Sequence, residues 1–316
     1  MTVTRTLPDE TVAGYRHEAF LYSGMAEFLS GTLSFIRRAV SAGDPILVVV
    51  SGEKIGLLRQ QLGAEAENVT FADMASVGDN PARIIADWRA FVQDNAGAAQ
   101  LWGIGEPIYP ERSPTELAEC QLHEALLNVA FDVATPFWLL CPYNLEALTA
   151  DVIDEAHRTP PVVARGVARL GCGAFRPVDR AGPFDRPLPP RPADADHMSF
   201  ETGDLRRVRA FVAARAEQAG LDTEAVDAMV LAVNEVATNS LRHGGGRGEL
   251  RAWTDGRSLV FEVSDQGHIT SPLVGRLRPA PEARDGAGLW LANQLCDLVP
   301  IYSSARGTAV RVCQNI

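Results

Sequence analysis

Apolar residues recur along this chain with two different spacings, and the spacing changes near residue 175. In the first part, short continuous apolar runs alternate with helical periodicity. Phe28, Leu29, Leu33, Phe35, Ile36 and Ala39 predict a helix over Met25–Ala42, broken at Gly43-Asp44-Pro45. The run Ile46–Val50 then reads as a buried parallel strand. Further on, the pattern predicts a helix over Lys54–Leu62, a strand at Val69–Phe71 and a helix from Pro81 to Asn95. A strand at Gln100–Ile104 follows, then a helix from Pro114 to Phe131, a strand at Phe137–Cys141 and a helix from Leu145 to His157. Alternation of this kind predicts a parallel sheet covered on both faces.

Between Arg176 and His197, six of 22 residues are proline and apolar periodicity is absent. That segment reads as a semi-rigid linker, dividing the chain into residues 1–175, 176–197 and 198–316. In the last part, Leu205–Ala219 predicts an amphipathic helix. Val226, Met229, Val230, Val233, Val236, Ala237 and Leu241 predict a second, with Asp222 at its N-cap and Gly244-Gly245-Gly246 ending it. Glu249–Thr254 and Leu259–Ser264 read as a hairpin. Gly288–Leu295 is a further helix, and Val299–Ser304 with Thr308–Val312 a last hairpin. Helices first and strands later predict an α+β sandwich.

Composition narrows the function classes. The chain has 316 residues, 46% hydrophobic and 22% charged, as in ordinary globular proteins. No apolar run approaches the ~20 residues of a membrane span, and Met1–Tyr15 lacks the apolar core of a secretory signal. A cytoplasmic protein without membrane contact is expected. Of the net charge of −11, most lies in the first part, with 22 acidic against 12 basic residues up to Phe175. A direct nucleic-acid partner is not expected there, because phosphate contacts need a basic surface. Lys54 is the only lysine, so phosphate held by the last part must meet arginine or backbone N–H groups. The five cysteines form no Cys-x-x-Cys pair and read as reduced structural thiols.

The chemistry concentrates in Asn234–Gly244, inside the second helix of the last part. Glu235 and Asn239 stand one turn apart on one face. A carboxylate and a carboxamide so stacked can hold a divalent metal and a water or hydroxyl between them. Three further segments follow: Asp265-Gln266-Gly267 after an apolar strand, Gly286-Ala287-Gly288-Leu289 entering a helix, and Arg306-Gly307-Thr308. Glycines at a helix N-terminus let backbone N–H groups face phosphate.

In this order the four segments resemble the N, G1, G2 and G3 boxes of the GHKL ATPases, and most closely the anti-sigma serine kinases of the RsbW and SpoIIAB type. The resemblance implies the Bergerat fold and ATP with Mg²⁺. It implies that Asn239 ligates Mg²⁺, that Glu235 activates the acceptor hydroxyl, and that Asp265 reads the adenine amino group beside Gly267. Gly286, Gly288 and Leu289 would line the phosphates, and Thr308 would support the lid or adenine pocket. His243 either approaches the phosphates or satisfies carbonyls at its helix end. The second glycine common in the G1 box is replaced by Ile269. Pro272, Gly275, Pro279 and Pro281 mark a segment resembling the ATP lid; its Arg276, Arg278 and Arg284 are either solvated or within reach of the γ-phosphate.

Residues 16–160 resemble the MEDS sensory domain found in RsbA-family anti-sigma regulators. The match rests on Arg16–Tyr22, Gly43-Asp44-Pro45, Gly103-Ile104-Gly105-Glu106-Pro107 and Leu140-Cys141-Pro142-Tyr143-Asn144. It implies a RecA-like α/β sheet. Ser51–Gly56 lacks the Gly-x4-Gly-Lys frame, so no nucleotide is assigned to this part. Related domains often place Cys two residues after the initial His, where Ala19 stands here. Cys120 and His123 share a helix face but supply only two ligands where zinc wants three or four. Together the resemblances imply an Mg-ATP-dependent serine/threonine kinase of an anti-anti-sigma (STAS) partner. Such a protein would also sequester a sigma factor under control of an unidentified signal. A binding module without kinase activity and a histidine kinase or ATP hydrolase are the alternatives. A homodimer stays open.

Overall fold

The computed structural model describes residues 14–165, 168–178, 183–280 and 286–316. The chain divides into two compact units, residues 1–178 and 179–316.

The first unit runs β1 (Arg16–Tyr22), α1 (Gly24–Ala42), β2 (Ile46–Val50), α2 (Gly52–Leu62), β3 (Thr70–Asp73), α3 (Met74–Val77), α4 (Ile84–Asp94), β4 (Leu101–Gly105), α5 (Pro114–Ala130), β5 (Phe137–Asn144), α6 (Ala150–Ala156), β6 (Val162–Arg165) and β7 (Ala168–Gly171). Its sheet has the order β3-β2-β4-β5-β1-β6-β7. All pairings are parallel except β6 with β7 at the edge. β1, β4 and most of β5 are buried on both faces, which is why they read as apolar runs. One core gathers Phe28, Phe35, Ile36, Val48, Trp102 and Trp138 between the sheet and α1. The helices start where the sequence supplies caps. Ser113 and Glu116 form a reciprocal capping box that brackets Pro114 at the start of α5.

α6 is shorter than the helix expected from Leu145 to His157. Asn144 is the cause: its Oδ1 accepts the Glu146 N–H at 3.0 Å and its carbonyl accepts the N–H groups of Ala147 and Leu148. An Asx turn of this kind competes with helix for the same donors.

The second unit runs β8 (Asp196–Glu201), α7 (Leu205–Gln218), α8 (Thr223–His243), β9 (Arg247–Asp255), β10 (Ser258–Asp265), α9 (Ala287–Leu295), β11 (Ile301–Ser304) and β12 (Gly307–Asn315). Its antiparallel sheet has the order β11-β12-β10-β9-β8. Helices α7, α8 and α9 supply buried faces for it, led by Val208, Val212, Met229, Val233, Val236 and Ala292. The sequence pattern does not give β8, because Phe200 alone is fully buried along it, with Met198 half-buried on the same face.

The second unit also takes in part of the proline-rich segment. Phe184 is buried and its carbonyl accepts the Ser303 N–H at 2.8 Å. Arg311 donates to Pro189 O at 2.7 Å. Both Arg311 and Arg191 pair with the buried Glu262, each at 2.9 Å. Residues 183–191 therefore lie as a strap along the second unit.

Candidate nucleotide-binding site

α8 carries the first group of candidate residues, and its sequence explains its length of 21 residues. The Asp222 side chain accepts the Ala225 N–H at 2.9 Å. Glu224 lies in the first turn and Arg242 and His243 in the last, matching the helix dipole at each end. Val226, Met229, Ala232, Val233, Val236 and Ala237 turn inward, which leaves Glu235 and Asn239 half-buried on the flank.

That flank meets the start of α9. Gly286 adopts a left-handed backbone, φ 88°, at the N-cap of α9. Two residues further, a β-carbon on Gly288 would stand 2.9 Å from Glu235 Oε2 and 3.4 Å from Asn239 Nδ2. A larger residue there would press on the Glu235 side chain, so glycine leaves that carboxylate its place between the two helices. Glu235, Asn239 and Gly288 are thus brought together although 53 positions separate Glu235 from Gly288 in sequence.

A cavity of about 300 Å³ opens beside this junction. Asn239, His243, Asp265, Gly267, Gly286, Leu289 and Thr308 all line it, whereas Glu235 and Gly288 do not. Asp265 ends β10 at the cavity floor. Its Oδ2 accepts the Ser240 hydroxyl, and its Oδ1 accepts the Gly267 N–H at 2.6 Å. Two anchored oxygens still leave lone pairs for a further donor. Thr308 Oγ1 donates to Gly267 O at 2.9 Å and lies 2.8 Å from Ser303 Oγ, which also accepts the Ile269 N–H at 2.8 Å. Ile269, where a second glycine was expected, lines the cavity and is tied down through its N–H. His243 is exposed at the end of α8.

Of the lid arginines, Arg276 is buried at 2% exposure, Arg278 is exposed, and Arg284 lies outside the described residues, as does Pro281. Gly275 accepts from Asn293 Nδ2 at 3.0 Å, which ties this segment to α9. Ser240, Ser303 and Asn293 were missed from the sequence. The signal was present: each is a polar residue at a buried position in an otherwise apolar pattern.

The residues present fit a nucleotide with its metal. Asn239 offers a neutral hard oxygen, the α9 N-terminus offers backbone N–H groups framed by Gly286 and Gly288, and Asp265 offers a positioned carboxylate. In the first unit, by contrast, Lys54 is committed. Its Nζ lies 2.6 Å from both oxygens of Glu106 and 2.8 Å from Tyr22 Oη. Cys120 and His123 are core residues, the thiol donating to Pro107 O at 3.3 Å.

The antiparallel sheet with α7, α8 and α9 against it has the layout of the GHKL ATPase fold. Residues 198–314 match the family described as histidine kinase-like ATPase domain. Residues 16–161 match MEDS, described as the methanogen/methylotroph, DcmR sensory domain. The chain therefore joins a MEDS domain to a histidine kinase-like ATPase domain. No curated protein matches it. Among solved structures, the RsbU and RsbW domains of Rv1364c from Mycobacterium tuberculosis are similar at 21% identity and a TM-score of 0.30. That match covers 39% of this chain and 33% of the other, so the chain spans about a third of its length. Among the described residues, no helix is long and apolar enough to cross a membrane.

Proposed function

We propose that this protein is a partner-switching anti-sigma regulator. Its second unit binds Mg-ATP and phosphorylates a serine or threonine of an anti-anti-sigma (STAS) protein, and it sequesters a sigma factor. Its first unit receives an input and biases that switch. The observation that carries this reading is the convergence of Glu235 and Asn239 on Gly288, beside a cavity floored by Asp265.

Bound Mg-ATP supplies the phosphoryl group and the charge neutralisation that its transfer requires. Asn239 would hold the metal through its carboxamide oxygen. Glu235 accepts the proton of the partner's hydroxyl, for which a positioned carboxylate contributes ~10²–10⁴-fold. Asp265 accepts a hydrogen bond from the adenine amino group while Ser240 and Gly267 hold its two oxygens in place. Backbone N–H groups at the start of α9 face the phosphates.

Radiolabelled ATP incubated with the full chain and candidate STAS proteins tests this. Label on the partner is expected. Label on nothing supports an ATP-dependent binding module instead, and label on the chain itself supports an autophosphorylating kinase.

A further inference from the structure

The first unit holds a buried cluster that the nucleotide chemistry does not use. His17 on β1, Glu124 on α5 and Cys141 on β5 converge in its interior, with 1%, 1% and 2% exposure. β1 and β5 are paired so that Ala19 stands beside Cys141, which brings the thiol next to the imidazole two residues earlier. His17 Nε2 lies 3.1 Å from Glu124 Oε2 and 3.4 Å from Cys141 Sγ. One donor atom from each residue falls within 4.8 Å of the others.

The hydrogen bonds around the cluster fix which imidazole nitrogen carries the proton. Asn128 Nδ2 points at three backbone carbonyls, those of Thr159 at 2.8 Å, Ala125 at 3.3 Å and Glu124 at 3.4 Å. Its Oδ1 is therefore the atom facing His17 Nδ1 at 3.0 Å, and Nδ1 must donate. A neutral imidazole then turns the lone pair of Nε2 towards a carboxylate oxygen. Two acceptors 3.1 Å apart need a cation between them: a proton or a metal ion. Glu124 Oε1 is buried without a close partner of its own, and the Tyr143 hydroxyl and the Cys141 thiol face the same carboxylate.

We propose that His17, Glu124 and Cys141 form a site for a divalent transition metal of the zinc type. Bonds of about 2.0 Å to nitrogen and oxygen and about 2.3 Å to sulfur, at tetrahedral angles, require an N···O edge of about 3.3 Å and an N···S edge of about 3.5 Å. The observed edges are 3.1 and 3.4 Å. Mixed imidazole, thiolate and carboxylate donors suit zinc, cobalt, iron or nickel and not magnesium or calcium. Asn128 supplies the outer hydrogen bond that orients a ligating histidine. Three protein ligands leave one position for water or an incoming donor molecule, the open arrangement.

Cobalt(II) titration of the full-length, reduced chain tests the proposal. One equivalent is expected to bind, with visible bands of tetrahedral intensity and a thiolate-to-cobalt charge-transfer band in the near ultraviolet. Cys141→Ser should remove the charge-transfer band, and Glu124→Gln should weaken cobalt binding at least tenfold. A variant with Cys120, Cys172, Cys296 and Cys313 all changed to serine should keep the band, so the assignment does not depend on Cys141→Ser folding. Wild-type protein that shows no stoichiometric band overturns the site, and the proton is then the cation between His17 and Glu124. A band that survives Cys141→Ser unchanged, or that vanishes when only the other four thiols are removed, overturns it equally.

Discussion

Gly288 sits so close to Glu235 that an added β-carbon would stand 2.9 Å from the carboxylate Oε2 and 3.2 Å from Glu235 Cβ. The first of these neighbours is the end of a flexible side chain and can move; the second moves only with the helix. Gly288→Ala should therefore leave the fold intact, with stability within ~1 kcal/mol of wild type because alanine favours helix. The displaced carboxylate should slow phosphoryl transfer by about tenfold, ~1.4 kcal/mol of barrier. Melting curves and partner phosphorylation measured together check both halves; an unchanged transfer rate would place Glu235 outside the chemistry.

Glu235→Gln keeps the shape and hydrogen-bonding reach of the side chain but cannot take a proton. ATP affinity should be retained while transfer falls by ~10²-fold or more, about 2.7 kcal/mol. A solvated helix residue would give no change in either quantity. Equal transfer rates in the two proteins would eliminate Glu235 as the base, with the nucleotide site still standing on Asn239 and Asp265.

Asn239→Ala removes the one neutral carboxamide that α8 presents to the cavity. Mg-dependent ATP binding should be lost in a protein that still folds, since Asn239 is half-buried and contributes little to the apolar face of α8. Calorimetric titration decides it. Undiminished affinity in the folded variant would take the metal away from this residue.

Lys54→Ala separates the two units' chemistry. Burial pushes the Glu106 carboxyl above its usual range, and Lys54 and the Tyr22 hydroxyl oppose that shift. Without the ammonium, Glu106 is left buried at 5% exposure with its charge uncompensated. A loss of ~3 kcal/mol is expected in the first unit. A carboxyl whose pKa is raised by folding favours the fold at low pH and opposes it as pH rises. The variant should therefore recover part of its loss as pH falls towards 5. Mg-ATP affinity should not change. Reduced ATP binding would mean that Lys54 serves a nucleotide after all.

Much of this was legible in the sequence because the two units write their patterns differently. Ile46–Val50 and Phe137–Cys141 are continuous apolar runs because their strands are covered on both faces. α8 announced itself through its 3.6-residue period and the Asp222 cap. The convergence of Glu235 on Gly288 was not legible: spacing fixes which residues share a helix face, but not which distant glycine will meet that face. The His17–Glu124–Cys141 cluster was hidden for the same reason. Its members lie on two strands and a helix whose register only the folded sheet supplies. β8 was not legible because two inward residues, Met198 and Phe200, are too little pattern to identify a strand.

The strap over the second unit gives Ser303 an unusual position. Its N–H reaches back to Phe184 O, while its hydroxyl receives Ile269 N–H and touches Thr308 Oγ1, which in turn holds Gly267 O. Three stretches remote from one another in the chain are thus riveted at a single serine: the incoming tether, the loop after β10 and the closing hairpin. Along the chain, this rivet is met before β8. Releasing Phe184 would cost Ser303 a hydrogen bond on the residue that also seats the floor of the cavity. The chain's entry into its second unit is in this sense a handle fixed to the rim of that cavity.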